Sequence, residues 1–537
     1  MKKQKNSIKF MNHIMALIAI IFVLTGCLGE MPIEDTIPHQ REETATPLYM
    51  PELLPPPEPQ YGGTLRLSMR TPQTLNPLLN QDATVARVLQ LLFEPLVMLD
   101  DELRPVPHLA SLDFALDGSS VIVTIRGDAF WNDGSPVIAR DLVHSLNILR
   151  GAPAGAIYRN RIENIFYYEA IDERSVRVYF TSPQGGAAYM FNFPIIPSSY
   201  FDPMAPMGNG PYMFSNYTPG ESVQLIRNPF TFRSPFIGQV DVMITRDALT
   251  DLYAFDRGLV DVYQAEMMEW SRHRSIKPVE FSIYAAMSYE FIGFNFARAL
   301  PRQPEFRQAI AHSLDIDRIL GDAFLTHAVR TTTPIHPHSW LHEPNTHVFE
   351  FDMERAERLA MQVHPLWPRD EQGEMRPLEV LVNWNNREGL VVAQAVVDQM
   401  NAIGMPAEWV PIPFDVLQAR LREGEFDLFV GGYYFSFRPD IRFAFHSESP
   451  DNLLSYYDPV LDRLLEAVVI GVTDSQYQRA LADMQKHFAE QLPVISLAFR
   501  HSALITDRRI HGQFGGLNPS PDNIFANVHE WFVADWR

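Results

Sequence analysis

The segment 431–440 gathers aromatic side chains around a few polar ones, which is the composition typical of a ligand-binding surface. Its sequence is Gly431-Gly-Tyr-Tyr-Phe-Ser-Phe-Arg-Pro-Asp440. Tyr433 and Tyr434 offer flat rings and hydroxyl groups that could form a platform for a small solute. Because alternate residues of a strand face opposite sides, at least half of the aromatic residues in this run should instead pack in the core. Both interpretations stay open for the two tyrosines.

The polar groups of the same segment decide which charge it could bind. Ser436 provides a neutral hydroxyl, and Asp440 provides the nearest carboxylate. Arg438 has a planar guanidinium that can bind a carboxylate through two hydrogen bonds. With Asp440 only two residues away, we expect Arg438 to pair with that side chain rather than with a ligand.

A second pair of candidate residues, Trp384 and Asn385, comes directly after a predicted strand at 378–383. Ligands of parallel α/β sheets gather at the carboxyl ends of the strands. Trp384 is therefore either part of a ligand site or part of the core, and the sequence favours neither.

Motifs of common enzymes and metal sites were compared with the whole sequence. The chain has no Gly-x-x-x-x-Gly-Lys-Ser/Thr loop for phosphates and no Gly-x-Ser-x-Gly nucleophile elbow. Four histidines lie close together, at 336, 338, 342 and 347. Their spacing does not suit two metal ligands on one helix, and Pro344 would break such a helix. We therefore expect a polar surface loop here, with no metal, no cofactor and no catalytic function.

The elements that must position these residues alternate between strands and helices. Strands are predicted at 63–69, 121–126, 176–180, 223–227, 240–244, 378–383, 426–431 and 494–499. Helices are predicted at 353–363 after Asp352, at 391–403 before Gly404, at 414–423 before Gly424 and from 474 towards 491. The segment 378–431 thus alternates strand, helix, strand, helix, strand, which favours a largely parallel sheet with helical crossovers.

Length, composition and charge exclude several classes of protein. The chain has 537 residues, of which 46% are hydrophobic and 20% charged, as in ordinary globular proteins of several domain-sized units. Its net charge of −21 disfavours binding to nucleic acid. Its single cysteine excludes an internal disulfide framework and a thiolate metal cage.

That cysteine closes an N-terminal segment with the features of a secretion signal. Four lysines precede an apolar run at 14–24, which is too short to span a bilayer comfortably. The run ends in Leu24-Thr-Gly-Cys27, which resembles the lipobox of bacterial lipoproteins. The resemblance implies cleavage after residue 26 and a diacylated Cys27 that anchors the chain to a membrane. The alternative is an ordinary cleaved signal, or a short anchor, with an incidental cysteine.

The next segment, up to residue 60, is rich in proline and acidic residues. Between residues 28 and 60 there are eight prolines and seven acids, with hardly any helical or strand periodicity. This composition predicts an extended tether at 27–60. The folded part of the chain is therefore expected to work outside the cytoplasm, on the cell surface or in the periplasm.

A series of short motifs follows in a fixed order from about residue 61 to residue 513. They include Tyr61-Gly-Gly-Thr-Leu, Leu75-Asn-Pro, Phe130-Trp-Asn-Asp-Gly-Ser-Pro136, Gly210-Pro-Tyr, Arg227-Asn-Pro, Arg307-Gln-Ala-Ile-Ala and Leu492-Pro-Val. Together they resemble the family 5 extracellular solute-binding proteins of ABC importers, which include oligopeptide and dipeptide receptors. Most of these residues have plain structural roles, such as the turn at Asn132-Asp-Gly134, so we expect them to maintain the fold.

The resemblance implies an α/β fold of the two-lobed periplasmic-binding-protein type, class II, with an extra N-terminal subdomain. The implied boundaries are 61–92, 207–293 and 500–537 for lobe I, 93–206 for the extra subdomain and 294–499 for lobe II.

The resemblance also implies where the ligand binds. Peptide-binding relatives carry Gly-Trp-x-Ala-Asp-Tyr after the corresponding strand, and their aspartate pairs with the peptide α-ammonium. In this chain Tyr433 takes the tryptophan position, Ser436 takes the aspartate position, and Phe414 falls where relatives place another cleft aromatic. Ser436 carries no charge, and Asp440 is the candidate substitute.

The function expected from this resemblance is capture of a peptide, or of a related small solute, and its delivery unchanged to the permease subunits of an ABC importer. The chain is expected to act as a monomer. Relatives of the same fold carry nickel chelates, haem or oligosaccharides, so a receptor for a non-peptide solute is an alternative. A peptide-sensing signalling receptor is another alternative, and a secreted hydrolase on this scaffold is the least favoured.

Overall fold

A computed structural model describes residues 57–199, 202–265, 278–512 and 524–534. The predicted signal peptide, Cys27 and most of the predicted tether lie outside the described residues. Residues 57–60 have no regular secondary structure.

Short strands and helices alternate along the described chain. The strands are β1 (Thr64–Met69), β2 (Val97–Leu99), β3 (Pro105–Pro107), β4 (Ala110–Phe114), β5 (Ser120–Ile125), β6 (Ile165–Ala170), β7 (Ser175–Phe180), β8 (Tyr212–Thr218), β9 (Ser222–Arg227), β10 (Gln239–Ile244), β11 (Val262–Ala265), β12 (Val279–Phe294), β13 (Ala328–Arg330), β14 (Leu378–Asn383), β15 (Ala407–Ile412), β16 (Leu428–Tyr434), β17 (Val494–Asp507), β18 (Ile510–His511) and β19 (Phe532–Val533). The helices are α1 (Ala83–Leu89), α2 (Ala139–Arg150), α3 (Ala248–Asp256), α4 (Ala299–Arg302), α5 (Pro304–Ser313), α6 (Ile316–Phe324), α7 (Met353–Val363), α8 (Arg387–Ala402), α9 (Phe414–Glu423), α10 (Arg442–Phe445), α11 (Pro459–Ile470) and α12 (Asp474–Gln491).

Helix ends follow the predicted capping residues. The Asp352 side chain accepts a 2.9 Å hydrogen bond from the backbone N–H of Arg355, so it caps the first turn of α7. Gly424 ends α9 with a φ of 69°, the left-handed conformation that glycine adopts most easily. Helix α8 begins at Arg387, four residues before its predicted start, because the side chain of Asn386 provides the N-cap.

The strands form three larger sheets. In the first, of order β1-β10-β9-β8, only the β1 and β10 pair is parallel. The second, of order β4-β5-β7-β6, is antiparallel throughout. The third has seven strands in the order β11-β17-β12-β16-β14-β15, with β13 paired to β17. This third sheet positions the candidate site.

The predicted parallel sheet is confirmed for β14, β15 and β16, which α8 and α9 connect as crossover helices. For the sheet as a whole the prediction of a largely parallel arrangement is wrong. Strand β17 is far longer than the predicted element at 494–499, and β12 lies where no strand was predicted. Both join the sheet as antiparallel neighbours. Antiparallel partners need no crossover helix, so the helix-strand alternation of the sequence gives no sign of them.

Two large hydrophobic cores lie towards opposite ends of these long strands. One is built from residues between 287 and 499, joined by Leu99, Leu103 and Tyr189. The other is built mainly from residues 65–262 and 504–531. Strands β12 and β17 run from one core to the other, and their pairing shifts register between Ala285 and Tyr289. The backbone of these two strands therefore connects the two cores.

Candidate functional site

Several of the predicted residues meet at the carboxyl edge of the parallel strands. Asn383 at the end of β14 pairs with Ile412 at the end of β15, and the N–H of Trp384 donates to the Ile412 carbonyl at 3.0 Å. Because the strands are parallel, the residues that follow them, Trp384 and Phe414, emerge on the same edge. Both are more than half exposed, at 53% for Trp384 and 58% for Phe414, so Trp384 is not a core residue. Asn385 follows at the same edge and is exposed as well.

The two tyrosines of β16 face opposite sides of the sheet. Tyr434 is 65% exposed. Tyr433 is partly buried, and its ring packs against four phenylalanines: Phe291, Phe435, Phe443 and Phe445. Burial raises the pKa of the Tyr433 hydroxyl to about 12. Tyr433 thus supports the aromatic core beneath β16, whereas Tyr434 presents its ring to the surface. The roles of both in ligand binding stay predictions.

The chain leaves the sheet after β16 and turns through the polar part of the segment. Phe435 returns to the core, with 4% of its surface exposed, and fixes the start of the turn. The Ser436 hydroxyl is exposed and donates a 2.7 Å hydrogen bond to the Arg438 carbonyl. Ser436 and Asp440 therefore lie on a loop that is anchored by a buried aromatic residue.

Asp440 is paired, but not with the predicted partner. Its two carboxylate oxygens accept hydrogen bonds from Nε of Arg442 at 2.9 Å and from Nη2 at 2.6 Å. Burial works to raise the pKa of Asp440, but the hydrogen bonds and charge of Arg442 outweigh it and hold that pKa below its ordinary value. The expected pair of Arg438 with Asp440 is wrong, because Arg442 at the start of α10 places its guanidinium directly against the carboxylate.

Arg438 instead contacts residues that are distant in sequence. Its Nη2 donates a 2.6 Å hydrogen bond to Oε1 of Gln184, a buried residue in the loop that follows β7. Its positive charge also works to lower the pKa of the Tyr477 hydroxyl in α12, which burial raises. No local sequence pattern connects residue 184 with residue 438, so sequence reasoning missed this contact.

The loop after β16 lines a cavity of about 540 Å³. Ser436, Phe437, Arg438, Asp440 and Arg442 form one wall of it. The other wall comes from residues 157–192 together with Leu99, and it includes Arg161, Glu163, Asn164 and Asn192. The structure therefore brings Ser436 and Asp440 together with a set of residues that the sequence analysis did not single out. The four exposed residues at the sheet edge, Trp384, Asn385, Phe414 and Tyr434, are not among those that line this cavity.

The predicted surface loop of histidines is partly wrong. His336 is buried against the ring of Phe499 at a centroid distance of 4.7 Å, and His338 lies 5.2 Å from it. Burial, together with the neighbouring His338, His501 and His342, lowers the pKa of His336 to about 3. The reason is that Phe499 belongs to the hydrophobic strand β17, which packs against this loop and buries the imidazole. Across the described ranges, no group of three or more His, Cys, Asp and Glu side chains is arranged to hold a metal ion.

The chain was compared with protein families and with individual relatives. Residues 104–452 match the model of the bacterial extracellular solute-binding proteins, family 5. The oligopeptide-binding protein AppA of Bacillus subtilis is 21% identical over 507 residues, which cover 89% of this chain and 93% of the relative. Within the described part of the chain, no helix has the length and apolar character needed to cross a membrane.

Solved structures of similar fold include several substrate-binding proteins. The ABC transporter substrate-binding protein CtaP of Listeria monocytogenes has a TM-score of 0.76 at 22% identity, covering 89% of this chain and 100% of that one. Bacillus subtilis AppA in complex with a nonapeptide has a TM-score of 0.63 at 20% identity, with the same coverage. NikZ of Campylobacter jejuni in complex with Ni(L-His) has a TM-score of 0.66 at 19% identity, again with that coverage. The fold is therefore shared by proteins that hold chemically different solutes.

Proposed function

Because the chain belongs to the family 5 extracellular solute-binding proteins of bacteria, we propose that it captures peptides outside the cytoplasm and delivers them unchanged to the permease of an ABC importer. The observation that carries this proposal is the loop after β16, which begins in the core and opens into a cavity of about 540 Å³. Cavities of this size suit a small-molecule ligand or a short peptide. The structure of Bacillus subtilis AppA in complex with a nonapeptide supports the choice of peptide over other solutes.

In this proposal the ligand binds between two lobes. Lobe I and the extra subdomain comprise 61–293 and 500–537, and lobe II comprises 294–499. The separate hydrophobic cores support this division, since each core is built mainly from one of these regions. The register shift in the pairing of β12 and β17 lies between the cores, where closure would bend the chain. Ligand that binds the closed form more tightly than the open form would shift the equilibrium towards closure.

The exposed side chains at the carboxyl edge form the second part of the proposed site. Trp384, Asn385, Phe414 and Tyr434 would contact the ligand from lobe II, with their rings as flat apolar surfaces. Tyr433 would act from beneath, by holding β16 against Phe291. Ser436 and Asp440 would border the ligand at the cavity. The binding protein performs no reaction in this scheme, consistent with a family that is solute-binding rather than catalytic.

The proposal includes a lipid anchor at Cys27 and a monomeric receptor. The sequence Leu24-Thr-Gly-Cys27 supports the anchor, and the proline-rich segment after it would hold the folded body away from the membrane. Cells grown with a labelled fatty acid should incorporate the label into the parent chain and not into a Cys27→Ala variant. Equal labelling of the two, or no labelling of the parent, would contradict the anchor.

Native mass spectrometry of the Cys27→Ala chain, purified without denaturation, tests the ligand class. A set of added masses that fragment into short peptide sequences would support peptide capture. A single added mass that contains nickel, haem or a sugar would overturn it and identify a different solute. Loss of peptide uptake in a strain that lacks the gene, restored by the parent gene, would connect binding to import rather than to signalling.

A further inference from the structure

The guanidinium of Arg438 forms no ion pair with a carboxylate of the described residues, although its charge helps to lower the pKa of the nearby Asp440, which pairs with Arg442. Within the described residues no carboxylate oxygen lies within 4.0 Å of its nitrogens. The hydrogen-bond partner that holds it, the amide of Gln184, is neutral. Burying or half-burying a charge without an opposite charge is unfavourable, so such an arginine is typical of a position that meets an anion from outside the chain.

Gln184 fixes the position of this guanidinium. It is 6% exposed, and its Oε1 accepts from Nη2 of Arg438 at 2.6 Å and from Nδ2 of Asn164 at 3.3 Å. Its amide nitrogen donates to the Ser182 hydroxyl at 3.1 Å, which determines the orientation of the amide. Gln184, which belongs to the segment opposite Arg438, therefore fixes the guanidinium through one terminal nitrogen, Nη2, and does not use the other.

On the Arg438 side of the cavity, the groups that would accept hydrogen bonds from a ligand ammonium are already engaged, whereas the exposed carboxylate of Glu163 lies on the far wall. Both oxygens of Asp440 are bound by Arg442. The Ser436 hydroxyl donates to a carbonyl, and it brings no charge. The cavity is thus poorly suited to a free peptide amine at this end.

The charged groups around the cavity add up to an excess of positive charge. Arg161, Arg438 and Arg442 line it, against the carboxylates of Glu163 and Asp440. Glu163 is exposed on the far wall and Asp440 is paired, so the positive charge is concentrated on the side of Arg438. A local excess of arginine is notable in a chain whose net charge is −21. Arginine also binds carboxylates in a bidentate manner, which gives direction as well as affinity.

We infer that this cavity binds the anionic end of the ligand, with Arg438 as the group that donates hydrogen bonds to a carboxylate. This inference rests on the proposed capture of peptides and deepens it. The carboxylate would be either the C-terminus of the peptide or an acidic side chain. Leu99 and Met190 provide apolar surface beside it for the adjoining part of the ligand.

Calorimetric titration with defined peptide mixtures tests the inference on the Cys27→Ala chain. The probes are random tetrapeptide pools of four kinds, in which a free or acetylated N-terminus is combined with a free or amidated C-terminus. Each kind is made once with and once without Asp and Glu. If Arg438 meets the C-terminus, amidation should weaken binding about 10- to 100-fold, as expected for loss of a charge-assisted hydrogen bond, and acetylation should change it less than about threefold. If the carboxylate comes from a side chain, only amidated pools that contain Asp or Glu should keep the affinity.

Variants of one residue identify the group responsible. Arg438→Gln should bind acid pools about as weakly as the parent binds amidated pools, whereas Arg438→Lys should keep most of the preference for the acid. Arg318→Gln, at an exposed arginine of α6, is the matched control and should bind as the parent does. Thermal unfolding of each variant verifies that it is folded.

The results separate this inference from the proposed function. If amidated pools that lack Asp and Glu bind the parent as tightly as pools that carry a carboxylate, the inference is overturned and peptide capture is left intact. The same conclusion would follow if Arg438→Gln kept the full preference for acids. Binding of none of the pools would overturn both.

Discussion

The carboxylate of Asp141 accepts a 3.0 Å hydrogen bond from the indole N–H of Trp131, and both side chains are almost fully buried. The same oxygen accepts from the backbone N–H of Ile138, and the other oxygen accepts from the N–H and hydroxyl of Ser198. Trp131 belongs to the motif before α2, and Asp141 lies in the first turn of that helix. Trp131 therefore serves the fold, as the sequence analysis predicted for most motif residues, and Asp141 is its buried partner.

Asp141→Ala should destabilise the protein by about 2–4 kcal/mol, because it leaves several buried donors without a partner. The exposed carboxylate of Asp128, which pairs with Arg126 at 2.6 Å, offers a matched control. Asp128→Ala should cost less than about 1 kcal/mol. Urea unfolding followed by circular dichroism measures both, and equal losses for the two variants would contradict the structural role of Asp141.

Lowering the pH should reduce the free energy of unfolding through protonation of Glu94. Burial works to raise the pKa of this carboxyl, but Arg233 and His108 outweigh it and lower the pKa from 4.5 to about 2. A carboxyl whose pKa is lower in the folded state stabilises that state above its unfolded pKa, and the contribution disappears as the pH falls from about 4.5 to about 2. A shift of this size corresponds to about 3 kcal/mol.

Glu94→Gln should therefore be less stable than the parent at pH 7 and should show a smaller loss of stability between pH 4.5 and pH 2. Urea midpoints over that pH range provide the measurement. Glu371→Gln, at an exposed position, should follow the pH dependence of the parent. A Glu94→Gln profile parallel to that of the parent would show that the ion pairs do not lower this pKa.

His336 should make the free energy of unfolding depend on pH in a milder acid range as well. The folded state holds this imidazole neutral down to a pKa of about 3, whereas the unfolded chain takes up a proton below about 6.5. Stability should therefore fall as the pH drops below 6.5, by about 1.4 kcal/mol per pH unit well below that value. His336→Gln removes the titrating group, so its urea midpoints should depend less on pH between 6 and 4. An unchanged slope in that variant would contradict the assignment.

The exposed aromatic residues at the sheet edge should affect affinity without affecting stability. Replacing Trp384 or Phe414 by alanine removes large apolar surface from the proposed ligand site, and binding of tetrapeptide pools should weaken about 5- to 50-fold. Tyr457→Ala, at a side chain that is 75% exposed, is the control and should bind as the parent does. Calorimetric titration gives the affinities, and unchanged binding in both aromatic variants would exclude this edge from the site.

The same tryptophan offers a second readout of ligand contact. Trp384 is half exposed, so a bound peptide should alter its fluorescence. The change seen on adding tetrapeptide pools to the parent should diminish in Trp384→Phe and persist in Trp409→Phe, at a partly exposed tryptophan of β15. Loss of the signal in the β15 variant alone would place the ligand elsewhere.

Local elements and the family could be predicted because they depend on neighbouring residues. The caps at Asp352 and Gly424 fixed the ends of their helices, and the alternation from 378 to 431 gave three parallel strands with their crossovers. The placement of Trp384 directly after β14 followed from the same pattern. Each of these features is set by backbone conformations and side-chain periodicities within a few residues.

Long-range partners could not be predicted in the same way. The seven-stranded sheet is mixed because β12 and β17 pair across more than two hundred residues, and no local signal records that pairing. Asp440 lies two residues from both Arg438 and Arg442, so sequence distance alone cannot choose between them. The choice depends on where the start of α10 directs the guanidinium of Arg442.

The amino-acid sequence by itself determined the family and the positions of most elements, since these reside in residue types and local spacing. Only the tertiary structure decided that Arg438 contacts the amide of Gln184 rather than a carboxylate of the described residues. That arrangement arises from packing segments that lie 254 residues apart, and the energy of a charged side chain depends on the groups that surround it in space.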